Sequence, residues 1–258
     1  MFVTTVEKTN ESLNQKAFII AEQLGIPYRE RRKRTIKQLL GLYQQPCLVI
    51  GKEKVELYDL HGSDPLFFHP NMAAIRIKRI EKGEDDPFVR ATGLCEGMSI
   101  LDCTLGMGAD ALVASYVIGC SGNITSLEVN PFVYFVIRDG LQSYPFKRDQ
   151  MADAAKRINA VNIDYLTFLK NADDRSFDVV YFDPMFTESV AESTGIQSLG
   201  SFASYQDLTK EAIDEAKRVA KKRIILKDYF KSDRFAKFGF QVEKRKTAKF
   251  HFGVIELE

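Results

Sequence analysis

A short apolar run that ends at an acid and continues into a glycine turn constrains this chain more than any other stretch. Residues 99–103 have the length and apolar character of a buried parallel strand, and residues 111–118 have the pattern of a helix opened by Asp110. Gly106 and Gly108 permit a sharp turn between them and the close approach of a ligand, because they carry no Cβ. The first turn of the helix directs free N–H groups to the same place. The segment predicts a cradle for a small molecule, with an ordinary strand-to-helix turn as the alternative.

The same strand-then-helix unit recurs along the chain. Residues 122–128 form an apolar run that ends at Glu128, and Pro131 opens a helical pattern after it. Further strands are predicted over 161–163, 177–182 and 223–226, and the last two strands, 240–244 and 250–257, are predicted to pair antiparallel. Alternating strands and helices predict an α/β fold with a doubly wound, mostly parallel sheet. Its ligand is expected beyond the carboxyl ends of the strands.

The front of the chain reads as a small N-terminal α+β unit over residues 1–85, and residues 86–258 read as the main domain. The boundary is placed in the polar stretch 81–87, which holds both glycine and proline. A β-hairpin is predicted from strands 47–50 and 55–58, with residues 65–68 as a further strand of the unit.

Residues 29–34 of this unit are the densest basic run, Arg-Glu-Arg-Arg-Lys-Arg. Two interpretations remain open for it: an exposed turn between two helices, or a contact with RNA phosphates. The first 90 residues carry a net charge of +3 and the remainder −2, which favours an anionic partner for the front unit only weakly.

Composition excludes several classes of protein. Apolar residues make up 45% of the chain and charged residues 28%, which is typical of a globular protein and excludes a disordered or fibrous one. The chain contains no run of membrane-spanning length, and its first residues lack the pattern of a signal peptide, so a cytoplasmic protein without a membrane partner is expected. The four cysteines form no CxxC pair and only three histidines accompany them, so neither disulfides nor a metal site are expected.

Acidic residues fall at three successive strand ends. Asp102 and Asp110 flank the glycine turn, Glu128 follows the second strand, and Asp183 follows the strand over 177–182. These acids are expected to line one crevice. Glu128 comes 20 residues after Gly108, a spacing at which a carboxylate binds the ribose hydroxyls of a dinucleotide or of S-adenosylmethionine. Because residues 106–111 also satisfy a loose GxGxxA pattern, an NAD-dependent enzyme remains an alternative.

The tetrapeptide Asp183-Pro-Met-Phe186 distinguishes these alternatives. An exocyclic amine on a base is a poor nucleophile because its lone pair is conjugated with the ring, so it must be turned and held in line for methyl transfer. The carboxylate of Asp183 and the carbonyl of Pro184 could accept its hydrogens while Phe186 stacks on the base. A hydride-transfer enzyme needs no such arrangement, and the alternative is a proline-containing turn after a strand.

These motifs resemble those of a known family, the class I S-adenosylmethionine-dependent methyltransferases. Among these they resemble the ribosomal small-subunit methyltransferase J type, which methylates the exocyclic amine of a guanosine in small-subunit ribosomal RNA. The likeness covers roughly residues 70–255, and its motifs are LDCTLGMGAD over 101–110, EVNP over 128–131, VYFDPMF over 180–186 and KRIILK over 222–227.

The resemblance implies particular cofactor contacts. Those expected beside the glycine turn and the strand ends are Ala109, Asp110, Glu128, Val129, Asp164, Tyr165 and Asp183. The chain departs from the family at several points: Ala109 stands where members often have arginine, Val129 where a basic residue is usual, and Thr187 follows Phe186 where proline and basic residues are usual.

The function expected from the sequence is therefore methyl transfer from S-adenosylmethionine to the N2 amine of a guanosine, with ribosomal RNA or the small ribosomal subunit as partner. The base has to be splayed out, because a paired amine is not accessible. A non-catalytic module that binds RNA or the ribosome on a methyltransferase scaffold is the rival, and an NAD-dependent oxidoreductase is a third possibility. No oligomeric state is predicted.

Overall fold

The computed structural model describes residues 1–62, 64–184, 202, 207–245 and 248–258. Their strands are β1 (Phe2–Thr5), β2 (Cys47–Ile50), β3 (Val55–Tyr58), β4 (Ser99–Asp102), β5 (Asn123–Glu128), β6 (Asn159–Asn162), β7 (Phe177–Phe182), β8 (Ala220–Tyr229), β9 (Gln241–Glu243) and β10 (Phe250–Glu256). Their helices are α1 (Glu11–Gln23), α2 (Ile36–Tyr43), α3 (Asn71–Glu81), α4 (Pro87–Thr92), α5 (Ala109–Ile118), α6 (Pro131–Ser143), α7 (Asp149–Arg157), α8 (Tyr165–Asn171), α9 (Lys210–Val219) and α10 (Arg234–Phe238). Within these ranges, no helix is long and apolar enough to cross a membrane.

The chain divides into two compact units. The first contains Met1–His69 and Asn130–Pro145; the second contains Pro70–Val129 and the described residues of 146–184 and 207–258. Helix α6 therefore belongs to the first unit, although it directly follows a strand of the second. The boundary predicted between residues 85 and 86 separates two domains, whereas the division described here separates compact units of the fold. The predicted domain boundary therefore stays a prediction.

The first unit has a three-stranded sheet in the order β1-β2-β3. β2 and β3 pair antiparallel, which confirms the predicted hairpin. The third strand is β1, parallel to β2, rather than residues 65–68, where only a single bridge joins Leu66 to Leu57. The apolar–polar pattern of four residues was too short to reveal β1, which depends on a partner more than 40 positions away along the chain.

The basic run of the first unit is partly structural. The guanidinium of Arg31 donates to the carbonyl oxygens of Arg34 (2.9 Å) and Thr5 (3.0 Å), and it thereby ties the turn to β1. Arg32 is exposed and pairs with Glu30 at 3.0 Å. The run therefore forms a turn in which Arg31 is tied to β1 and Arg32 and Lys33 are exposed. Its contact with RNA phosphates stays a prediction.

Helix α6 is fitted closely to the first unit. Asn130 caps it by accepting hydrogen bonds from the N–H groups of Phe132 and Val133, and Pro131 occupies its first position. Near its end, Gly140 lies so close to Phe68 that any Cβ at this position would overlap the phenylalanine side chain. Glycine at residue 140 thus permits contact between the helix and the loop before α3.

The second unit is built on a seven-stranded sheet in the order β6-β5-β4-β7-β8-β10-β9. All strand pairs from β6 to β8 are parallel, whereas β10 runs antiparallel to both β8 and β9. This arrangement confirms the predicted α/β fold with its doubly wound, mostly parallel sheet and its antiparallel closing pair. The chain passes from β4 outward to β5 and β6, and then returns to β7 on the other side of β4. The resulting switch point lies between β4 and β7, where folds of this kind bind their ligands.

An apolar core holds one face of this sheet against its helices. Leu101, Val180 and Ile224 from neighbouring strands pack with Ile213 and Val219 of α9, all of them buried. Burial of such side chains stabilises the fold by about 1.5–3 kcal/mol each. The rigid sheet then fixes the side chains that follow each strand end.

Candidate active site

The glycine turn after β4 is formed as the sequence predicted. Gly106 and Gly108 adopt left-handed conformations, with φ of +49° and +74°. The turn is held by hydrogen bonds from Leu105 N–H to the carbonyl of Leu127 and from Gly108 N–H to the carbonyl of Leu105, both 2.8 Å. Helix α5 begins directly afterwards at Ala109, and its first intrahelical bond runs from Leu112 to Gly108. The amides before Leu112 are therefore presented at the switch point.

Asp102, at the end of β4, is buried, and one of its two carboxylate oxygens accepts a hydrogen bond. Its Oδ1 accepts a hydrogen bond from Thr104 N–H at 3.0 Å, whereas Oδ2 has no hydrogen-bond partner among the described residues. Burial raises the pKa of this carboxyl group to about 7, and the nearby negative charge of Asp110 adds to the effect. An unpartnered buried oxygen is costly, so this position suits a ligand that donates a hydrogen bond.

Asp110 forms the centre of a half-buried charge cluster. Its Oδ1 receives the guanidinium of Arg76, and its Oδ2 receives the ammonium of Lys227 at 3.1 Å and the hydroxyl of Tyr181 at 2.8 Å. Arg76 is itself held by two bonds to Asp86, at 2.8 and 2.9 Å. The start of α5 is thus linked to α3, to the N-cap of α4 and to the strand ends of β7 and β8.

Asp183 lies immediately after β7 and is fixed from two sides. Its backbone N–H donates to Thr104 Oγ1 at 2.7 Å, and its Oδ2 lies 2.6 Å from the ammonium of Lys227. Pro184 is buried beside it. Phe186, predicted to stack on the base, lies outside the described residues.

The charged groups of this cluster and their burial shift the pKa values of its members in different directions. Two neighbouring carboxylates raise the pKa of Lys227 despite its burial, and Lys227 and Arg76 hold the pKa of Asp110 well below its usual range against the opposing effect of burial. Burial raises the pKa of Asp183, and the charge of Lys227 opposes that rise. Two cations, Arg76 and Lys227, contact three carboxyl groups, those of Asp86, Asp110 and Asp183.

Glu128 and Val129 follow β5 on the other side of the switch point. The backbone here is held by the side chain of Asn162, whose Nδ2 donates to the carbonyls of Glu128 (2.7 Å) and Val129 (3.1 Å). Glu128 is half-buried and Val129 is exposed. Ser126 lies opposite Asp102, and therefore Glu128 reaches the same level of the sheet as the start of the glycine turn.

Asp164 and Tyr165 follow β6, the next strand outward. Asp164 caps α8 by accepting a hydrogen bond from Thr167 N–H at 2.9 Å. The Tyr165 ring packs edge-on against Phe182 with centroids 5.6 Å apart, and burial raises its pKa to about 12. The structure therefore places the predicted residues at the carboxyl ends of adjacent strands β6, β5, β4 and β7.

Four members of the cluster were not singled out from the sequence as site residues: Arg76, Asp86, Tyr181 and Lys227. Lys227 follows an apolar run, which is a recognisable signal for a charge at a strand end. Arg76 carried no such signal, because it is one of several basic residues on α3 and its partner Asp110 lies 34 residues away.

Comparison with known proteins identifies the family to which this chain belongs. The model of the SAM_MT family, which groups SAM-dependent methyltransferases, matches residues 36–251. The chain belongs to this family. The match begins at residue 36, well before residue 70, where the motif-based resemblance starts. The family model therefore also covers α2 and the β2–β3 hairpin.

Two relatives and one solved structure are similar to this chain. The chain is 44% identical to the uncharacterized protein YpiP of Bacillus subtilis over 98% of both chains. It is 25% identical to ribosomal RNA small subunit methyltransferase J of Hydrogenovibrio crunogenus, over 83% of this chain and 81% of that one. A SAM-dependent methyltransferase from Neisseria gonorrhoeae has the same fold, with a TM-score of 0.62 at 16% identity over 99% and 96% of the two chains.

The cofactor of this methyltransferase family member is S-adenosylmethionine, and the residues present fit it. Gly106 and Gly108 carry no Cβ atoms in the turn, Asp102 offers an unpartnered acceptor, and Glu128 follows the neighbouring strand near the same level of the sheet. The family assignment favours this cofactor over NAD. No cluster of potential metal ligands occurs in the part of the chain that the structure describes.

Proposed function

We propose that this SAM-dependent methyltransferase methylates the exocyclic N2 amine of a guanosine in small-subunit ribosomal RNA. The observation that carries the proposal is the fixed position of Asp183, held by Thr104 and Lys227 at the switch point beside the glycine turn. It is supported by relatives named ribosomal RNA small subunit methyltransferase J, which are 25% identical over most of the chain.

The residues that hold the cofactor are proposed from their strand-end positions. Glu128 binds the ribose hydroxyls, Asp164 and Tyr165 flank the adenine, and the amides at the start of α5, from Ala109 onward, face the remainder of the molecule with Gly106, Gly108 and Asp102. When bound, S-adenosylmethionine supplies an electrophilic methyl group on a positively charged sulfur.

Asp183 is proposed to orient the target amine. A carboxylate oxygen accepts one amine hydrogen and the carbonyl of Pro184 accepts the other, which turns the nitrogen lone pair out of conjugation and into line for attack. The amine becomes acidic only after it has gained the methyl group, so its proton can leave afterwards and Asp183 need not be a strong base. Phe186 is proposed to stack on the base.

Lys227 is proposed as the positioning residue for Asp183. Its ammonium binds one carboxylate oxygen of Asp183 and one of Asp110, so it sets the rotamer of Asp183 relative to the glycine turn. Its charge also opposes the rise that burial causes in the pKa of Asp183.

The partner proposed is ribosomal RNA or the small ribosomal subunit, which places the protein in the cytoplasm. Specificity for one nucleotide requires contacts outside the cofactor cradle, since backbone contacts position an RNA and base contacts select its sequence. The exposed cations at the turn of residues 32–34 are one proposed backbone contact.

Methyl transfer onto small ribosomal subunits tests the proposal directly. Subunits stripped of methylation are incubated with tritiated S-adenosylmethionine and the protein, and the labelled nucleotide is mapped. Label on the N2 amine of one guanosine is expected. Binding of RNA without transfer would favour the rival, a non-catalytic RNA-binding module, and label on a different base or on protein would replace the proposed substrate.

A further inference from the structure

Strand β8 extends beyond the active site, and an exposed aromatic residue directly follows its last residue. Phe230, which directly follows β8, is 42% exposed. Its ring packs against Tyr229 with centroids 4.7 Å apart and against His251 at 6.0 Å. His251 is buried and bonded to the backbone of Arg245, so the support beneath Phe230 is rigid. The exposed ring is therefore held in place without being covered.

Cations surround these rings. The ammonium of Lys231 lies 5.4 Å from the Phe230 ring centroid. The guanidinium of Arg245 lies 5.3 Å from the ring of Phe250, and Lys227 approaches the same ring at 5.1 Å. Both Phe230 and Phe250 thus combine an aromatic ring with a positive group at cation–π distance.

The buried acid nearby does not cancel this positive charge. Asp228 is 1% exposed and uses its carboxylate on Ser232 (2.6 Å) and Arg234 (3.2 Å), below the aromatic surface. Asp233, two residues after Lys231, is exposed. The surface at the end of β8 thus combines the Phe230 ring and the Lys231 ammonium with one exposed carboxylate.

This surface is continuous with the proposed base-binding site. Phe250 lies opposite Tyr229 in the β8–β10 pairing, and Lys227, two residues earlier on β8, shares the face of Tyr229. Lys227 in turn contacts Asp183 at 2.6 Å. Contacts thus link Asp183 through Lys227 to the half-buried ring of Phe250. Phe250 lies opposite Tyr229, and the ring of Tyr229 contacts the exposed Phe230.

We propose that this aromatic–cationic surface, formed by Tyr229, Phe230, Lys231, Arg245 and Phe250, binds single-stranded RNA beside the target nucleotide. The inference rests on the proposed function and deepens it. A base adjacent to the splayed target stacks on Phe230, and the exposed Lys231 faces its phosphate. Rings with adjacent cations suit single-stranded nucleic acid because every base presents a π-face and every linkage a negative charge.

Substitution of Phe230 tests the stacking. Binding of a fluorescein-labelled, short single-stranded oligoribonucleotide is measured by anisotropy, and S-adenosylmethionine binding by calorimetry. Phe230→Ala and Phe230→Leu are expected to weaken RNA binding about tenfold, whereas Phe230→Trp retains it, because only the aromatic ring stacks. Cofactor affinity is expected to stay unchanged. Phe18→Ala is the matched control, since Phe18 is 45% exposed in the other unit.

Lys231→Ala tests the charge. It is expected to lower the steepness of the log–log salt dependence of RNA binding by about 0.7. Lys222→Ala, at the opposite end of the same strand, is the control and should leave the slope as it is.

The outcomes separate this inference from the proposed function. Equal RNA affinities for Phe230→Ala and Phe18→Ala overturn the inference and leave the proposed function intact. The same holds if Phe230→Ala alters the self-association of the protein but not its RNA affinity. A wild-type protein that binds S-adenosylmethionine but neither the oligoribonucleotide nor stripped small subunits overturns the proposed function, and the inference with it.

Discussion

The ammonium of Lys227 lies 2.6 Å from Oδ2 of Asp183, across the carboxyl ends of neighbouring parallel strands. Tyr181 pairs with Ile225 in this sheet, so Asp183 and Lys227, each two residues further on, are level and share one face. The contact is thus a direct consequence of the register between β7 and β8. Lys227 thus contacts the proposed orienting carboxylate and opposes the effect of burial on its pKa.

Lys227→Met is expected to shift the pH dependence of methyl transfer. Loss of the cation removes the effect that opposes burial, so the pKa of Asp183 rises further and the carboxylate is lost at higher pH. The acid limb of the single-turnover rate should move to higher pH. Lys227→Arg, which keeps the charge, should move it less, and Lys222→Met at the other end of β8 should not move it. An unshifted limb in Lys227→Met would exclude control by this cation.

Asp183 variants separate orientation from charge. Asp183→Ala is expected to lower the single-turnover rate at least about a hundredfold, the scale of a lost positioning contact, with a smaller effect on cofactor affinity. Asp183→Asn should retain more activity, since an amide oxygen can still accept a hydrogen from the amine. If the asparagine and alanine variants are equally inactive, the negative charge itself is required.

Glu128→Ala is expected to weaken S-adenosylmethionine binding by about 1.5–3 kcal/mol, the usual scale for hydrogen bonds to a charged group. The backbone at this position is held by Asn162 independently of the Glu128 side chain, so the fold should survive. Calorimetric titration measures the effect, with Glu53→Ala on the exposed β2–β3 turn as the control. Unchanged affinity in a folded variant would remove Glu128 from the site.

Charge reversal of Arg32, Lys33 and Arg34 tests the basic turn. If these side chains neutralise RNA phosphates, the log–log salt slope of RNA binding should become less steep by about 2, with cofactor affinity intact. Arg31 is left unchanged, because its guanidinium holds the turn to Thr5 and its loss would lower stability instead. An identical salt slope in the reversed variant would identify the run as a solvated turn.

Asp102 makes stability depend on pH. Its pKa is raised from the model-peptide value of 3.8 to about 7 by burial, so between these values the folded state binds more protons than the unfolded one. Its contribution to the free energy of unfolding therefore decreases as pH rises from 4 to 7. Denaturant titrations of wild type and Asp102→Asn should show a difference that changes in this direction across the window. A constant difference would contradict the raised pKa.

Local patterns were sufficient to predict the elements that carry the site. The apolar run before Asp102, the two glycines and the helix after Asp110 are contiguous, and their hydrophobic periodicity and backbone preferences act over a few residues. The same holds for Glu128 and Asp183 at their strand ends. Because parallel strands with helical crossovers present all such ends at one edge, the crevice followed from the order of elements along the chain.

Other parts of the site depend on long-range pairing that no local pattern encodes. Lys227 reaches Asp110 over 117 residues and Arg76 reaches it over 34, because sheet register and helix packing, rather than neighbouring sequence, bring them together. The same reason explains β1, which pairs with a strand far along the chain, and α6, whose Gly140 fits Phe68 of the first unit. The sequence by itself determined the fold class and the acids at the strand ends. Only the tertiary structure decided which charges neutralise them, since burial and distance set the strength of a charge interaction.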